Sequence, residues 1–234
     1  MPITPILHEL LLDLLALLWP TECVGCGAAD RECCASCLRA LRAARPGHPP
    51  QLGTPCFARA EYAGVMRAVL VALKHGGRVR FARELGAQLS VPLHAARAQC
   101  GAARPPVIVP APSRPASVRR RGFRHVELLV AAALRAQRRR GSPMPTVLRA
   151  LRTTRGRRGQ VGLGPAERAR NAGLLGLRRT ARAALRGREV ILVDDVLTTG
   201  ATVLAARDTL TAAGARVVAI VVLCVAERAP PPGN

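Results

Sequence analysis

The stretch VILVDDVLTTGAT, Val190 to Thr202, decides how the rest of this 234-residue chain is read. Glu189 to Val193 is a run of β-branched and aliphatic residues of the kind that forms a strand buried on both faces. The spacing predicts a helix over Ala201 to Ala213, ended by Gly214, and a second buried strand over Arg216 to Val225. Strand, helix and strand in that order imply a parallel sheet, so the expected fold class is α/β.

In open parallel sheets ligands gather beyond the carboxyl ends of the strands, and Asp194 and Asp195 stand at that end of the first strand. Two adjacent carboxylates repel each other and need partners. The vicinal hydroxyls of a ribose can donate to them, and Mg2+ is a further oxygen-ligand option. Thr198, Thr199, Gly200, Ala201 and Thr202 then place three hydroxyls and a glycine at a strand-to-helix turn. A helix N-terminus offers free N–H groups to an anion, and glycine lets the backbone approach closely. The turn therefore reads as a phosphate cradle, against the plainer alternative of a turn with threonine caps.

Upstream, Tyr62 to Leu73 and Phe81 to Leu93 look helical, joined through LKHGGR, Leu73 to Arg78, where paired glycines break the pattern. PPVIVPAP, Pro105 to Pro112, is a proline-bracketed apolar strand, and Val126 to Arg138 has helical periodicity. Thr153 to Gly173, rich in arginine and glycine with little apolar periodicity, reads as a long mobile loop. The tail from Glu227 to Asn234 is expected to fray.

The chain carries a net charge of +22, with Lys74 as its single lysine among 36 basic residues. Such charge suits polyanionic partners, although arginine-rich composition alone also produces it. Aromatic residues make up 2% of the chain, so the core must be built from Leu, Val, Ile and Ala. Ile6 to Trp19 is apolar but interrupted by His8, Glu9 and Asp13, too short and too charged to span a bilayer, and it lacks the flanks of a signal peptide. Its leucines recur at helical spacing, as on a docking helix. No membrane insertion and a cytoplasmic location are expected.

Cys23 and Cys26, and Cys34 and Cys37, form two Cys-x2-Cys pairs with seven residues between them. Tetrahedral Zn2+ takes four thiolates at about 2.3 Å, and each such turn can present two. Cys33 is an alternative ligand beside Cys34. Disulfides are the weaker explanation in a cytoplasmic chain. Cys100 and Cys224 read as buried thiols. The expected organisation is an N-terminal helix and cysteine zinc-binding module over residues 1–56, an α/β domain over 57–228 and a flexible tail over 229–234.

Four aliphatics, Asp-Asp, an apolar residue and TTGAT resemble the phosphoribosyl pyrophosphate signature of type I phosphoribosyltransferases. The resemblance implies that Asp194 and Asp195 meet the ribose hydroxyls and that Thr198, Thr199, Gly200, Ala201 and Thr202 surround the 5'-phosphate. VPAPSRPASVRRRGFRHVELL, Val109 to Leu129, is similar to the ComF-like branch, linked to DNA uptake in competent bacteria. It makes Pro112, Ser113, Arg114 and Arg121 the pyrophosphate loop. Where that branch commonly has Asn-Gln after Arg-Gly-Phe, this chain has Arg124 and His125. Arg155, Gln160, Arg168 and Asn171 look like the family's flexible loop, with Arg155, Gln160 and Arg168 as the catalytic set. LKHGGR, with Lys74 and His75, has a family counterpart too, as does the cysteine module, where Cys56 reads as a vestige of a further pair.

Two functions follow as expectations. One is a phosphoribosyltransferase that uses phosphoribosyl pyrophosphate and Mg2+ and transfers phosphoribosyl to an unidentified acceptor, with a structural Zn2+. The other is a non-catalytic module that senses the same donor and contacts single-stranded DNA or competence-machinery proteins. The scarcity of aromatic rings argues against base stacking and leaves phosphate-backbone contacts.

Overall fold

The structure, a computed structural model, describes residues 22–29, 31–101, 104–138, 144–154 and 175–226. The apolar segment from Ile6 to Trp19 and the tail from Glu227 lie outside the described residues. The elements run α1 (Ala35–Arg42), β1 (Cys56–Glu61), α2 (Gly64–His75), α3 (Phe81–Ala98), β2 (Val107–Pro110), α4 (Pro115–Arg121), α5 (His125–Arg138), β3 (Leu151–Thr153), β4 (Leu175–Leu177), α6 (Arg182–Leu185), β5 (Glu189–Leu197), α7 (Ala201–Thr211) and β6 (Arg216–Val225).

Strands β1, β6, β5 and β2 lie side by side in that order, every pair parallel. Side chains alternate across a strand, so each strand feeds both layers. Ile108, Ile191, Val193, Val221 and Leu223 pack with α2, α3 and α5 on one face. Val107, Val109, Val190, Leu192, Ile220 and Val222 pack with α6, α7 and the β3–β4 ribbon on the other. This is the α/β class expected, a parallel sheet with helices on both faces. Helices α3 and α5 approach so closely that a Cβ on Gly86 would lie 2.4 Å from Ala132 Cβ. Any larger residue at position 86 would push the two helices apart.

The strand after Arg188 is longer than the apolar run predicted. β5 continues through Asp194 and Asp195 to Leu197, because β6 keeps pairing with it as far as Leu197↔Val225. Its pairing with β2 stops at Pro110↔Val193. The two acids thus sit inside β5, at the level where its other neighbour has left. Helix α5 follows β2 on one face and α7 follows β5 on the other, so a crevice opens between these two strands at their carboxyl ends.

The cysteine segment packs on this domain. Leu41 of α1 is fully buried in the larger core cluster, with Val24 and Cys33 against it. Arg59 Nη2 donates to Arg42 O at 2.6 Å, Arg42 pairs with Glu84 at 3.1 Å, and Arg80 pairs with Glu32. Among the described residues no helix is long and apolar enough to cross a membrane.

Candidate functional site

The crevice holds a cavity of about 330 Å3, within the usual size range of small-molecule sites, roughly 300 to 1,000 Å3. Pro112, Ser113, Arg114 and Arg121 line one side, and Asp194, Asp195, Thr198, Gly200 and Thr202 line the other. Sequence positions some eighty residues apart thus face one cavity because β2 lies beside β5. Thr199 and Ala201 shape the turn, with Ala201 N donating to Thr199 Oγ1 at 3.4 Å. Gly200 has φ +80°, and a Cβ there would lie 3.2 Å from Leu52 Cδ2. A left-handed residue immediately before α7 turns successive N–H groups toward one point, an arrangement suited to an anion.

Asp195 is buried, yet two basic groups converge on it. Its Oδ2 lies 2.6 Å from Lys74 Nζ and 2.5 Å from His125 Nε2. Burial works to raise its carboxyl, but Lys74 and His125 outweigh burial and hold it well below the usual carboxylate range. Burial also works to lower the Lys74 ammonium, and Asp195 more than reverses this. Asp194 has the opposite fate. Burial and the charge of Asp195 push it up to about 6, although its Oδ1 accepts a hydrogen bond from Asp195 N at 2.8 Å. Adjacent acids on one strand point to opposite sides of the sheet, and only the α2–α5 side supplies cations in direct contact.

The loop after β2 is continued by a helix that hydrophobic periodicity could not reveal. α4 carries Arg119, Arg120 and Arg121 in its last turn and buries none of its residues. Burial lowers the Arg121 guanidinium; its Nη1 donates to Lys74 O at 3.4 Å, and its Nε is buried with no hydrogen-bond partner. Arg114, Arg120, Arg121 and Lys74 all border the cavity, against the carboxylates of Asp194 and Asp195. Such a surplus of cations, with an unsatisfied donor among them, is matched to a polyanion.

Lys74 and His125, which reading the sequence left without a role, line the cavity beside Asp195. Ser113 Oγ lies 3.3 Å from His125 Nδ1, so His125 bridges Ser113 and Asp195. His75, also on the cavity wall, has its Nδ1 3.3 Å from Arg120 Nη2, and its imidazole is lowered by burial and then by Arg120. Arg124 pairs instead with Glu127 at 3.7 Å, away from the acids. Arg155, Gln160, Arg168 and Asn171 lie outside the described residues. Thr153, where β3 ends, lines a smaller cavity together with Pro112 and Ser113.

Apart from the crevice, the sulfurs of Cys23, Cys26, Cys34 and Cys37 all lie within 4.8 Å of one another. Tetrahedral zinc with bonds of about 2.3 Å requires sulfurs roughly 3.8 Å apart, so the four positions fit the ion. Cys34 N donates to Cys23 Sγ at 3.3 Å; burial raises the Cys23 thiol, but this and other backbone N–H groups bring it to about 6. Cys33 stands outside the cluster, packed against the core, and burial pushes its thiol up to about 11. Cys56 opens β1, far from the cluster in role, and burial raises it to about 11. Cys224 is fully buried as expected, whereas Cys100, just past the end of α3, is only half-buried.

A family model described as a phosphoribosyl transferase domain matches residues 103–232. A solved structure titled "Structure of the allosteric regulatory enzyme of purine biosynthesis" is 20% identical to this chain, with a TM-score of 0.33 over 60% of it. The match spans 25% of that other chain. No curated protein matches.

Proposed function

The chain belongs to the phosphoribosyl transferase domain family, matched over residues 103–232, and from that premise we propose that the crevice binds phosphoribosyl pyrophosphate and transfers its phosphoribosyl group. One observation carries this reading. The acid pair of β5, the Gly200 turn and the arginine-bearing segment after β2 border a single cavity. An acid pair suits ribose hydroxyls, a left-handed turn before a helix suits a terminal phosphate, and clustered arginines suit a pyrophosphate.

In this reading Thr198 to Thr202 hold the 5'-phosphate through the turn and the first N–H groups of α7. Asp194 and Asp195 receive the ribose hydroxyls. Ser113, Arg114 and Arg121 take the pyrophosphate, with the Nε of Arg121 as a donor ready for it. Mg2+ commonly binds through one or two carboxylates plus substrate phosphates, and the oxygen donors of Asp194 and Asp195 fit that preference. Held there, Mg2+ would supply charge neutralisation on the pyrophosphate. In the transfer, the acceptor's lone pair forms the new bond to C1 of the ribose. The bond from C1 to the pyrophosphate oxygen breaks with its electron pair leaving on pyrophosphate, and the acceptor's proton passes to solvent. Cations fixed around the departing group stabilise the charge it gains. The catalytic roles of Arg155, Gln160 and Arg168 rest on the sequence alone.

Cys23, Cys26, Cys34 and Cys37 are the proposed ligands of a structural Zn2+. The proposed organisation is a cysteine module over residues 1–56, the α/β domain over 57–228 and a tail over 229–234, with the sheet beginning at Cys56. A ComF-like role in DNA uptake, contacts with single-stranded DNA or competence proteins, and a cytoplasmic location belong to the proposal through the motif from Val109 to Leu129. The assay is release of pyrophosphate when donor, Mg2+ and candidate bases or amines are mixed with the protein. Release that depends on the acceptor supports the transferase; donor binding without release under any acceptor supports a sensing module.

A further inference from the structure

We propose that Lys74 and His125 are positioning residues that act through Asp195, and that His125 mechanically joins the ribose end of the donor site to the pyrophosphate loop by bridging Asp195 and Ser113. The proposal rests on the reading of the crevice as a donor site.

The geometry behind it converges on one atom. Asp195 Oδ2 receives Lys74 Nζ at 2.6 Å and His125 Nε2 at 2.5 Å, from two helices that reach it over the same face of the sheet. The side chains of Asp195, His125 and Lys74 are 9%, 11% and 18% exposed, so the contacts are made largely away from water, where pairing is strong and its loss costly. Lys74 sits in the last turn of α2, where the helix ends at Gly76, and His125 is the first residue of α5. Each basic group is therefore delivered by a helix end.

The second nitrogen of His125 extends the contact. Its Nδ1 lies 3.3 Å from Ser113 Oγ, on the loop between β2 and α4. Nε2 stands in ion-pair contact with Asp195 Oδ2; a neutral ring protonated at Nε2 accepts the Ser113 hydroxyl proton at Nδ1, and the charged ring donates there. In either state the orientation of Ser113 and that of Asp195 depend on one rigid imidazole. Arg121 ties the same group from the other side by donating to Lys74 O at 3.4 Å. The two ends of the donor site thus share a buried scaffold, the ribose end held through Nε2 of His125 and the pyrophosphate end through its Nδ1.

Two isosteric replacements separate the halves of the bridge, since a glutamine amide overlays Nε2 and an asparagine amide overlays Nδ1. Calorimetric titrations of the full chain, with Mg2+, use phosphoribosyl pyrophosphate, ribose 5-phosphate and pyrophosphate as separate probes, with thermal melting alongside. His125→Gln should keep ribose 5-phosphate affinity near wild type and weaken pyrophosphate, His125→Asn should do the reverse, and His125→Ala should lose about tenfold or more for the intact donor. Lys74→Met should weaken the donor, and Lys74→Arg should restore most of the loss. If wild type binds the donor while His125→Ala and Lys74→Met bind it equally well, the positioning role is overturned and the donor site stands. If His125→Gln and His125→Asn weaken both fragments alike, the bridge is overturned. If wild type binds none of the three probes, the donor-site reading fails and this proposal fails with it.

Discussion

Lys74 Nζ lies 2.6 Å from Asp195 Oδ2, while the neighbouring carboxylate of Asp194 has its own chain's Asp195 N–H as a partner at 2.8 Å and no comparable ion pair among the described residues. Adjacent acids therefore have opposite relations to stability. Asp194, raised to about 6 by burial and by Asp195, is above its value of about 3.9 in an unfolded chain. Its contribution is fully present below about pH 4 and is lost as pH rises through about 6. Asp194→Asn imitates the protonated acid, so its melting temperature should exceed that of wild type near pH 8 and match it near pH 4.

Asp195 is held low, so its contribution is present above about pH 4 and lost as pH falls toward its depressed folded value. Asp195→Asn leaves Lys74 buried without its counter-charge, and breaking a buried pair costs about 3 kcal/mol or more. Chemical denaturation near pH 7 should show this loss. Equal stability of the Asp194→Asn and Asp195→Asn proteins would contradict the asymmetry.

Gly200 holds φ +80° immediately before α7. A left-handed conformation costs an ordinary residue roughly 1–2 kcal/mol, and the added Cβ also presses on Leu52. Gly200→Ala should lower stability by about that amount and weaken ribose 5-phosphate binding. Gly27, also at positive φ but with nothing within 4 Å of an added Cβ, provides the comparison: Gly27→Ala should leave phosphate binding unchanged.

One Zn2+ per chain is expected from elemental analysis of the purified protein. Cys34→Ser should release the ion, because Cys34 Sγ lies in the four-sulfur cluster, 3.6 Å from Cys26 Sγ. Cys33→Ser should retain it, because Cys33 packs toward the core. The reverse pattern would move the site by one residue.

The strand–helix–strand unit around Asp194 was legible because both strands are continuous apolar runs and the helix ends at a glycine. β1 was not: Cys56 to Glu61 mixes polar and apolar residues on a sheet edge, and only Ala60 is fully buried. α4 was invisible to periodicity because it buries nothing, its role being to carry arginines to the cavity. The apolar run stops four residues short of the end of β5, since pairing with β6 and not hydrophobicity sets that end. The crevice residues Asp194 to Thr202 stand in one local motif, whereas Lys74 and His125 could not be assigned. Their meeting with Asp195, across separations of 121 and 70 positions, exists only once the strand order is known.

The central claim is that this crevice binds phosphoribosyl pyrophosphate through the acid pair, and calorimetric titration of the donor with Mg2+ into wild type and Asp194→Asn tests it most directly. Asp194→Asn is the informative variant because it is expected to be at least as stable as wild type at neutral pH, so lost binding cannot be lost folding. Wild type should bind one donor per chain, and the variant should bind about tenfold or more weakly, the consequence of removing a charged hydrogen-bond acceptor. Donor affinity unchanged by the substitution, or no binding by wild type, would contradict the account.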